Sequence, residues 1–537
     1  MKTGRLFLLF LLLCWCNSNA QSFVQWQKTF GGIDNEYVNS CVTQTIDSGF
    51  IFSGSTFSFG AGIADVYLIK TNLYGDTLWT RTYGGIDGDW VSSVQQTSDS
   101  GFIVAGSGGT QSFGLGGSDV YVIKTNMNGD TLWTRGYGGT SNDVGSAIMQ
   151  TMDGGFIITG QTISFNLGDY DVYLIKTNSN GDILWTKTIG GIGNDIGFSV
   201  QQTLDSGYIV TGTYNSFGAG NGDVLLIKTN LYGDTLWTRT YGGTNEEIGR
   251  SVQQTNDSGY VIVGSTLSFG AGSGDVYLIK TDINGDTLWT RTYGGAGFDG
   301  GNEVQQTTNG GYLIIGTTKS FGAGNSDFYL IKTDAYGDTL LTRTFGGAGN
   351  DNGYAIKQTN DGGCIIGGDT YSFGAGREDV YLIKTDSNYS SGCYEGSTAT
   401  ITGRPATQVL NTIYNVSSGG IAHNTITVIG NGGIVSSPCL TVGINAINNI
   451  YSDLKITPNP VSQSTIVSFS LNQPEKISAN IYDITGRLVK NLFDGNVNPG
   501  NHQIEWNVTD GGIDNGIYLL NFNGNGFSIS QKVVILK

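Results

Sequence analysis

Tryptophan returns along this chain at a nearly constant interval. Trp26, Trp79, Trp133, Trp185, Trp237 and Trp289 stand 52 to 54 residues apart, and Leu341 takes the seventh place in the series. A period of this length marks a stacked or ring-like repeat, because a unit that cannot bury its own apolar face must lay it on a neighbour. Each unit holds four short runs rich in β-branched and aromatic residues. In the second they are TLWTRTY (77–83), VSSVQQT (91–97), GFIVAGS (101–107) and DVYVIKT (119–125), punctuated by Gly, Asn and Asp. With 85 glycines, only six prolines and no helical period long enough to build a layer, the chain reads as strands and turns. The prediction is an all-β fold, a seven-bladed β-propeller of four-stranded blades over residues 21–388.

The two ends of the repeat favour a ring over an open stack. The seventh unit stops at DVYLIKTDSN (379–388) with no tryptophan strand after it, and FVQWQKTF (23–30) stands unmatched at the other end. An N-terminal strand that completes the last blade would latch the ring. The strand-ending Gly84-Gly85 pair, the DVYLIKT strand and the tryptophan strand, seven times over, resemble those of kelch-type and bacterial surface propellers across about residues 23–388. That resemblance implies a scaffold and no particular activity.

Residues 1–20 have the form of a secretory signal: Lys2 and Arg5, an apolar run from Leu6 to Cys16, and Ser18-Asn19-Ala20 at the expected cut. The run is too short to span a bilayer, and no other stretch is a candidate membrane helix. Net charge is −17, and loss of the signal makes the mature chain two charges more negative. Such a surface disfavours nucleic acid and anionic membranes. Export permits disulfides among the four remaining cysteines. Cys41 and Cys364 each stand in a strand and read as core residues. Cys393 and Cys439 bracket a Thr/Ile/Val-rich connector (389–450), and the favoured reading is a disulfide that closes a small β element there; two unpaired thiols are the alternative.

Residues 451–537 form a separate segment. LKITPNPVSQSTIVSFSL (454–471), ISANIYDITGRLVKNL (477–492), GNHQIEWNV (500–508), NGIYLLNF (515–522) and KVVILK (532–537) together resemble the type A C-terminal sorting domain of the type IX secretion system. The matching positions are Pro458, Asn459, Pro460, Tyr482, Asp483, Gly486, Arg487, Gly516, Tyr518 and Lys537. The resemblance implies an Ig-like β-sandwich, the type IX machinery as partner, and delivery to the outer-membrane surface or the medium. Thr457 stands where the family often has an aromatic.

Little in the chain offers catalysis. The two histidines, His423 and His502, lie outside the repeat, so no Ser-His-Asp or Cys-His set can form within it. SFGAG stretches lack the Lys-Ser/Thr of a phosphate loop, and DINGDTL (282–288) lacks the distal Glu of a calcium loop. Two acid series do recur in all seven units. One is Glu36, Asp89, Asp143, Asp195, Glu247, Asp299 and Asp351; the other is Asp65, Asp119, Asp171, Asp223, Asp275, Asp327 and Asp379. Both stand at the longer loops, which share one rim of a propeller. As loop-fixing residues they would bond backbone amides, with Lys28, Arg81, Arg135, Lys187, Arg239, Arg291 and Arg343 as further partners. As a binding face they would draw a cation such as calcium, or a cationic or polyhydroxylated ligand. Trp90, Arg250, Lys357 and Arg377-Glu378 break the repeat without converging on a recognisable chemistry. The expected function is an exported binding or scaffold module for a glycan, peptide or envelope protein, with no cofactor; a propeller enzyme acting on glycans is the alternative.

Overall fold

A computed structural model of the chain describes residues 25–430, apart from 39–41, 111, 113–115, 166–168, 217, 375–376, 406–407, 411–414, 418–420 and 425–427. It also describes 451–536, apart from 472–473, 484–486, 510–512 and 525–526. The signal segment, Cys41, Cys439, Gly486 and Lys537 lie outside the described residues. The chain divides into two units, Met1–Val442 and Gly443–Lys537. The described residues contain strands and turns and no helix.

In the first unit each repeat folds into one antiparallel sheet. The third repeat shows the pattern, with an inner strand (Asp143–Gln150), a second (Phe156–Thr162), a third (Asp171–Thr177) and an outer strand (Ile183–Gly190), in that spatial order. The second and third strands are almost wholly buried. They read as unbroken apolar runs because both faces of the sheet are covered by neighbouring sheets. Seven such sheets lie among the described residues. Successive sheets share apolar layers, such as Ile157, Leu174 and Ile189 with Val200, Tyr208 and Val210. Side chains also tie the inner strands together. Gln95 accepts from the Gln150 amide at 2.7 Å, and Gln201, Gln253 and Gln305 repeat the bond to Gln254, Gln306 and Gln358.

The seventh sheet is completed from the other end of the chain. Trp26–Phe30 pairs with Asp379–Lys384, setting Trp26 opposite Lys384 and Phe30 opposite Val380. That sheet then packs on the first, Ile365, Val380 and Leu382 against Val42, Phe50 and Phe52. The Glu36 amide bonds the Glu378 carbonyl at 2.8 Å across the same junction.

The connector behaves differently from a self-contained β element at the propeller exit. Its strands Glu395–Ser397, Ile401–Gly403, Gln408–Leu410, Asn415–Ser417, Ile421–Asn424 and Val428–Gly430 each add to the outer edge of a different sheet, from the sixth back to the first. Strands of three or four residues are too short to make a sheet of their own. The six outer strands meanwhile offer rows of unpaired backbone groups. The connector therefore runs as a belt.

In the second unit, Tyr451–Thr457, Ser464–Leu471 and Gly500–Asn507 form one sheet. Leu488–Val497, Glu475–Asp483, Gly516–Gly524 and Phe527–Ile535 form the other. Val467, Phe469 and Trp506 from the first sheet bury against Ile477, Ile481, Leu520, Phe522 and Val533 from the second, which makes a β-sandwich with a core of its own.

Candidate functional site

The structure places all fourteen recurring acids inside the protein. None is more than 7 % exposed, so they do not form a charged outer face. In the inner-strand series the carboxylate reaches back to the Gly-Gly turn. Asp89 accepts from the Gly85 amide at 2.7 Å, Asp195 from Gly191 at 2.8 Å and Glu247 from Gly243 at 2.7 Å. Loop hydroxyls add to this, as Ser216 Oγ does to Asp195 at 2.6 Å. In the third-strand series Asp65 accepts from the Ala61 and Gly62 amides at 3.1 and 3.2 Å, holding the long loop closed. These are the contacts of loop-fixing acids.

The two series meet in pairs, one pair at each junction between sheets. A Cβ on Gly84 would collide with Asp65 Oδ1 and lie 2.8 Å from Asp89 Oδ2, so only glycine fits between the two carboxyls. Oδ1 of Asp65, Asp171, Asp223 and Asp275 is buried with no hydrogen-bond partner. Burial pushes Asp65 up to about 6 and Asp89 up to about 7. Asp171 rises to about 7 through burial and the neighbouring Asp195 charge. A lone carboxylate out of water favours its proton, and a like charge beside it reinforces that preference.

The basic residues of the tryptophan strands do not serve these acids. Lys28 bonds Asp76 at 2.7 Å and Lys187 bonds Asp234 at 3.1 Å; Arg81, Arg135, Arg239 and Arg291 likewise reach the turn Asp of the following sheet. Arg343 meets Glu395 of the belt at 3.3 Å. A second ion pair recurs on the short-turn rim. Lys70, Lys124, Lys176, Lys228 and Lys280 are buried and sit 2.9 Å from Asp47, Asp99, Asp153, Asp205 and Asp257. Burial pushes these carboxyls upward, but hydrogen bonds from a Thr hydroxyl, the Lys and a Gly amide outweigh it and hold them below the usual range.

The repeat breaks at one stretch of the long-loop rim, where the seventh, first and second sheets adjoin. Position 369 is Asp, whereas the equivalent residues of the other sheets are Ser55, Ser107, Gln161, Thr213, Ser265 and Thr317. Asp369 and Glu378 are both buried and share a hydrogen bond. Burial and the Glu378 charge hold the Asp369 carboxyl well above the usual carboxylate range. Asn352 Nδ2 donates to Asp369 at 2.8 Å, Tyr354 bonds the same carboxyl, and the Tyr371 hydroxyl bonds Glu378. Tyr371 keeps 46 % of its surface exposed. Beside it Tyr37, Phe57 and Trp90 form an aromatic cluster with ring centroids 5.6 to 6.2 Å apart. Arg250 stacks over Phe198 at 4.4 Å and lies within the electrostatic reach of Tyr354.

Of the repeat-breaking residues singled out in the sequence, Trp90 and Glu378 belong to this cluster and Arg250 lies next to it. Lys357 instead pairs with Glu303, and Arg377 is exposed. Asp369, Asn352, Tyr354, Tyr37 and Phe57 escaped that reading. Aligning the seven copies column by column exposes Asp369 in a column otherwise of Ser, Thr and Gln. Its contact with Glu378 needs the fold. Among the described residues no three His, Cys, Asp or Glu side chains gather as metal ligands, and no helix is long and apolar enough to cross a membrane.

The sorting positions are structural within their sandwich. Asn459 ties the Pro458–Pro460 turn to the last strand, donating to the Lys532 carbonyl at 2.7 Å and accepting from the Val534 amide at 2.9 Å. Asp483 accepts from Arg487 Nε at 3.0 Å, and the Tyr518 hydroxyl donates to the Asp514 carbonyl at 3.0 Å.

A propeller-like repeat followed by a C-terminal sandwich with its own core defines an all-β repeat protein of two units. Residues 455–536 match the family model of the secretion system C-terminal sorting domain, so the chain carries a type IX sorting domain. The chain is similar to part of Regulatory protein FlaEY of Caulobacter vibrioides, at 28 % identity over 203 residues, 33 % of this chain and 20 % of that protein. It is also similar to the mimivirus Uncharacterized WD repeat-containing protein L264, at 21 % identity over 383 residues, 57 % of this chain and 26 % of that protein. The chain thus spans about a quarter or less of the length of either relative.

Proposed function

We propose that this protein is a seven-bladed binding module, exported by its N-terminal signal and carried across the outer membrane by the type IX machinery, to act at the cell surface or after release. The observation that carries the reading is that several departures from the repeat gather at one place. Near-identical sheets supply a rigid ring, and one stretch of its long-loop rim carries unique side chains, where binding residues on such scaffolds usually sit. The WD-repeat relative supports a propeller of the binding kind.

The ligand best suited to that stretch is a glycan. Half-exposed Tyr37, Trp90 and Tyr371 offer faces for sugar C–H surfaces, and the buried Asp369–Glu378 pair beneath them holds the Tyr371 hydroxyl in place. A hydrolase would hold its carboxyls roughly 5 to 10 Å apart across the scissile bond. Here the two are hydrogen-bonded to each other, which supports binding rather than cleavage. A glycan array probed with the mature protein, followed by titration of the best hit, tests this. Trp90→Ala and Glu378→Gln should each weaken binding at least tenfold, while Ile248→Ala, the position equivalent to Trp90 in the fifth sheet, should not. Binding unchanged by all three, or release of shortened sugar, overturns the reading.

A further inference from the structure

Six inner strands carry the same irregularity, a β-bulge at one level. Pairing with the second strand steps from Val91 to Ser93, Gly145 to Ala147, Gly197 to Ser199, Gly249 to Ser251, Gly301 to Glu303 and Gly353 to Ala355. The residue skipped is in turn Ser92, Ser146, Phe198, Arg250, Asn302 and Tyr354. Glycine ahead of the bulge keeps room for the preceding sheet, since a Cβ on Gly249 would lie 2.5 Å from Thr211 Oγ1. A bulge takes its residue out of the ladder and re-aims the side chain. Here the bulge repeats while its residue changes from sheet to sheet, although the position three before it is always Asp or Glu.

The bulged residues stand around a common axis. The inner strands touch in series, and Asp351–Gln358 returns through Val42–Gln44 to Trp90–Gln96, so they close a ring. Arg250 is the exposed member of its strand. Its guanidinium lies over the Phe198 ring at 4.4 Å and feels Tyr354, two sheets further on. Desolvation by the surrounding walls lowers its pKa, outweighing the pull of Tyr354 and Glu246. Among the described residues Arg250 forms no ion pair, whereas the tryptophan-strand arginines each reach a carboxylate. A charge that is poorly hydrated and lacks a counter-ion favours an anionic ligand.

We propose that the bulge ring is the inner half of the glycan site and that Arg250 binds the carboxylate of an acidic sugar there. The inference rests on the glycan reading and adds the charge of the ligand. Tyr354 joins the two halves, because it bonds Asp369, which shares a hydrogen bond with Glu378, which accepts from the Tyr371 hydroxyl. Trp90 of the aromatic cluster stands two residues before the bulge of its own strand. A sugar chain lying on Tyr37, Trp90 and Tyr371 is thus placed to turn one residue inward toward Arg250. The guanidinium offers a planar, two-pronged donor that a carboxylate matches, and Phe198 fixes its plane. The chain as a whole carries a net charge of −17, which repels a densely sulfated or phosphorylated polymer. The favoured ligand is a mostly neutral glycan bearing an isolated uronic acid.

The test uses paired glycans that differ only in ending with glucuronic acid or glucose, titrated calorimetrically against the full mature protein. The acidic member should bind about tenfold more tightly than its partner, the gain of one charge-assisted hydrogen-bonded pair. Arg250→Gln should erase that preference without lowering the melting temperature. Arg250→Lys, which keeps the charge and loses the fork, should retain part of it. Arg377→Gln removes an exposed charge from the same rim and should leave the preference unchanged. Equal binding of both members, a preference that survives Arg250→Gln, or its loss in Arg377→Gln overturns the acidic-sugar site while the glycan reading stands. So does an Arg250→Gln variant that melts lower, if Arg250→Lys has lost the preference as well. Failure of every pair to bind, acidic or neutral, overturns both.

Discussion

The seventh sheet and the six before it descend from one repeat but solve different problems. In the first six, all four strands are consecutive in sequence and the outer edge takes a belt strand. In the seventh, the outer strand pairs across 350 to 358 residues of chain and its second strand carries Asp369 where the others carry Ser, Thr or Gln. What the seven share is their junction chemistry. Each junction holds a buried carboxyl pair around the first glycine of Gly-Gly, and Gly31 between Asp379 and Glu36 repeats the arrangement of Gly84 between Asp65 and Asp89. Identity is thus kept where sheets must pack and given up where the chain must join its ends and present a surface.

The largest effect that would break this contrast is removal of residues 21–30. The seventh sheet would lose Trp26 and Phe30 from the layer they share with Phe50 and Phe52 and expose the edge of Asp379–Lys384. A loss of several kcal/mol is expected from the missing aromatic packing alone, with self-association through the bare edge. Thermal melting and light scattering check it. Melting like that of the intact protein would mean that the N-terminal strand is dispensable and the seventh sheet not special.

Next in size is the shared junction. A methyl group at Gly294 would strike Asp275 Oδ1 and approach Asp299 Oδ2 to 2.7 Å. Gly294→Ala should therefore cost about 1–3 kcal/mol, and Gly31→Ala about as much. Denaturant unfolding of the two variants measures it, and a much smaller cost at Gly31 would set the seventh junction apart.

The buried lysines separate the sixth sheet from the rest. Lys384 lies 2.7 Å from Asp361, whereas Lys332 has Asn309 at the matching turn and sits over the Tyr389 ring at 4.3 Å. Lys384→Met should cost about 2 kcal/mol, because it strands a half-buried carboxylate, and Lys332→Met less than about 1 kcal/mol. Equal costs would show that the ion pair contributes nothing beyond packing.

The smallest expected effect is on pH dependence. Asp65, Asp89 and Asp171 have folded pKa values raised above the ordinary 3.8, to about 6, 7 and 7. The protonated form is therefore favoured by folding. Its contribution is complete below about pH 4 and is lost as pH rises through 6 to 7. The short-turn acids run the other way, since Asp99 and Asp205 are lowered and lose their contribution only as pH falls below the ordinary carboxylate range. Stability should decline from about pH 4 to pH 7, and Asp89→Asn should flatten that decline. A slope unaffected by the substitution would remove the account of the junction carboxyls as protonated by burial.

The amino-acid sequence alone determined the unit, its four strands and the complementarity of its two ends. A period near 52 residues and the alternation of apolar runs with Gly-Asp turns act through contacts inside one repeat. The sorting sandwich was equally legible, since its apolar positions alternate strand by strand. Only the tertiary structure decided what each recurring charge does. An Asp at a turn can bond amides, a lysine or a ligand, and the choice depends on which residue about 20 to 50 positions away arrives beside it. That is why the tryptophan-strand cations turned out to serve the turn acids of the next sheet, as Lys28 serves Asp76. It is also why the connector's short strands became a belt, since their partners are backbone edges that exist only once the sheets have formed.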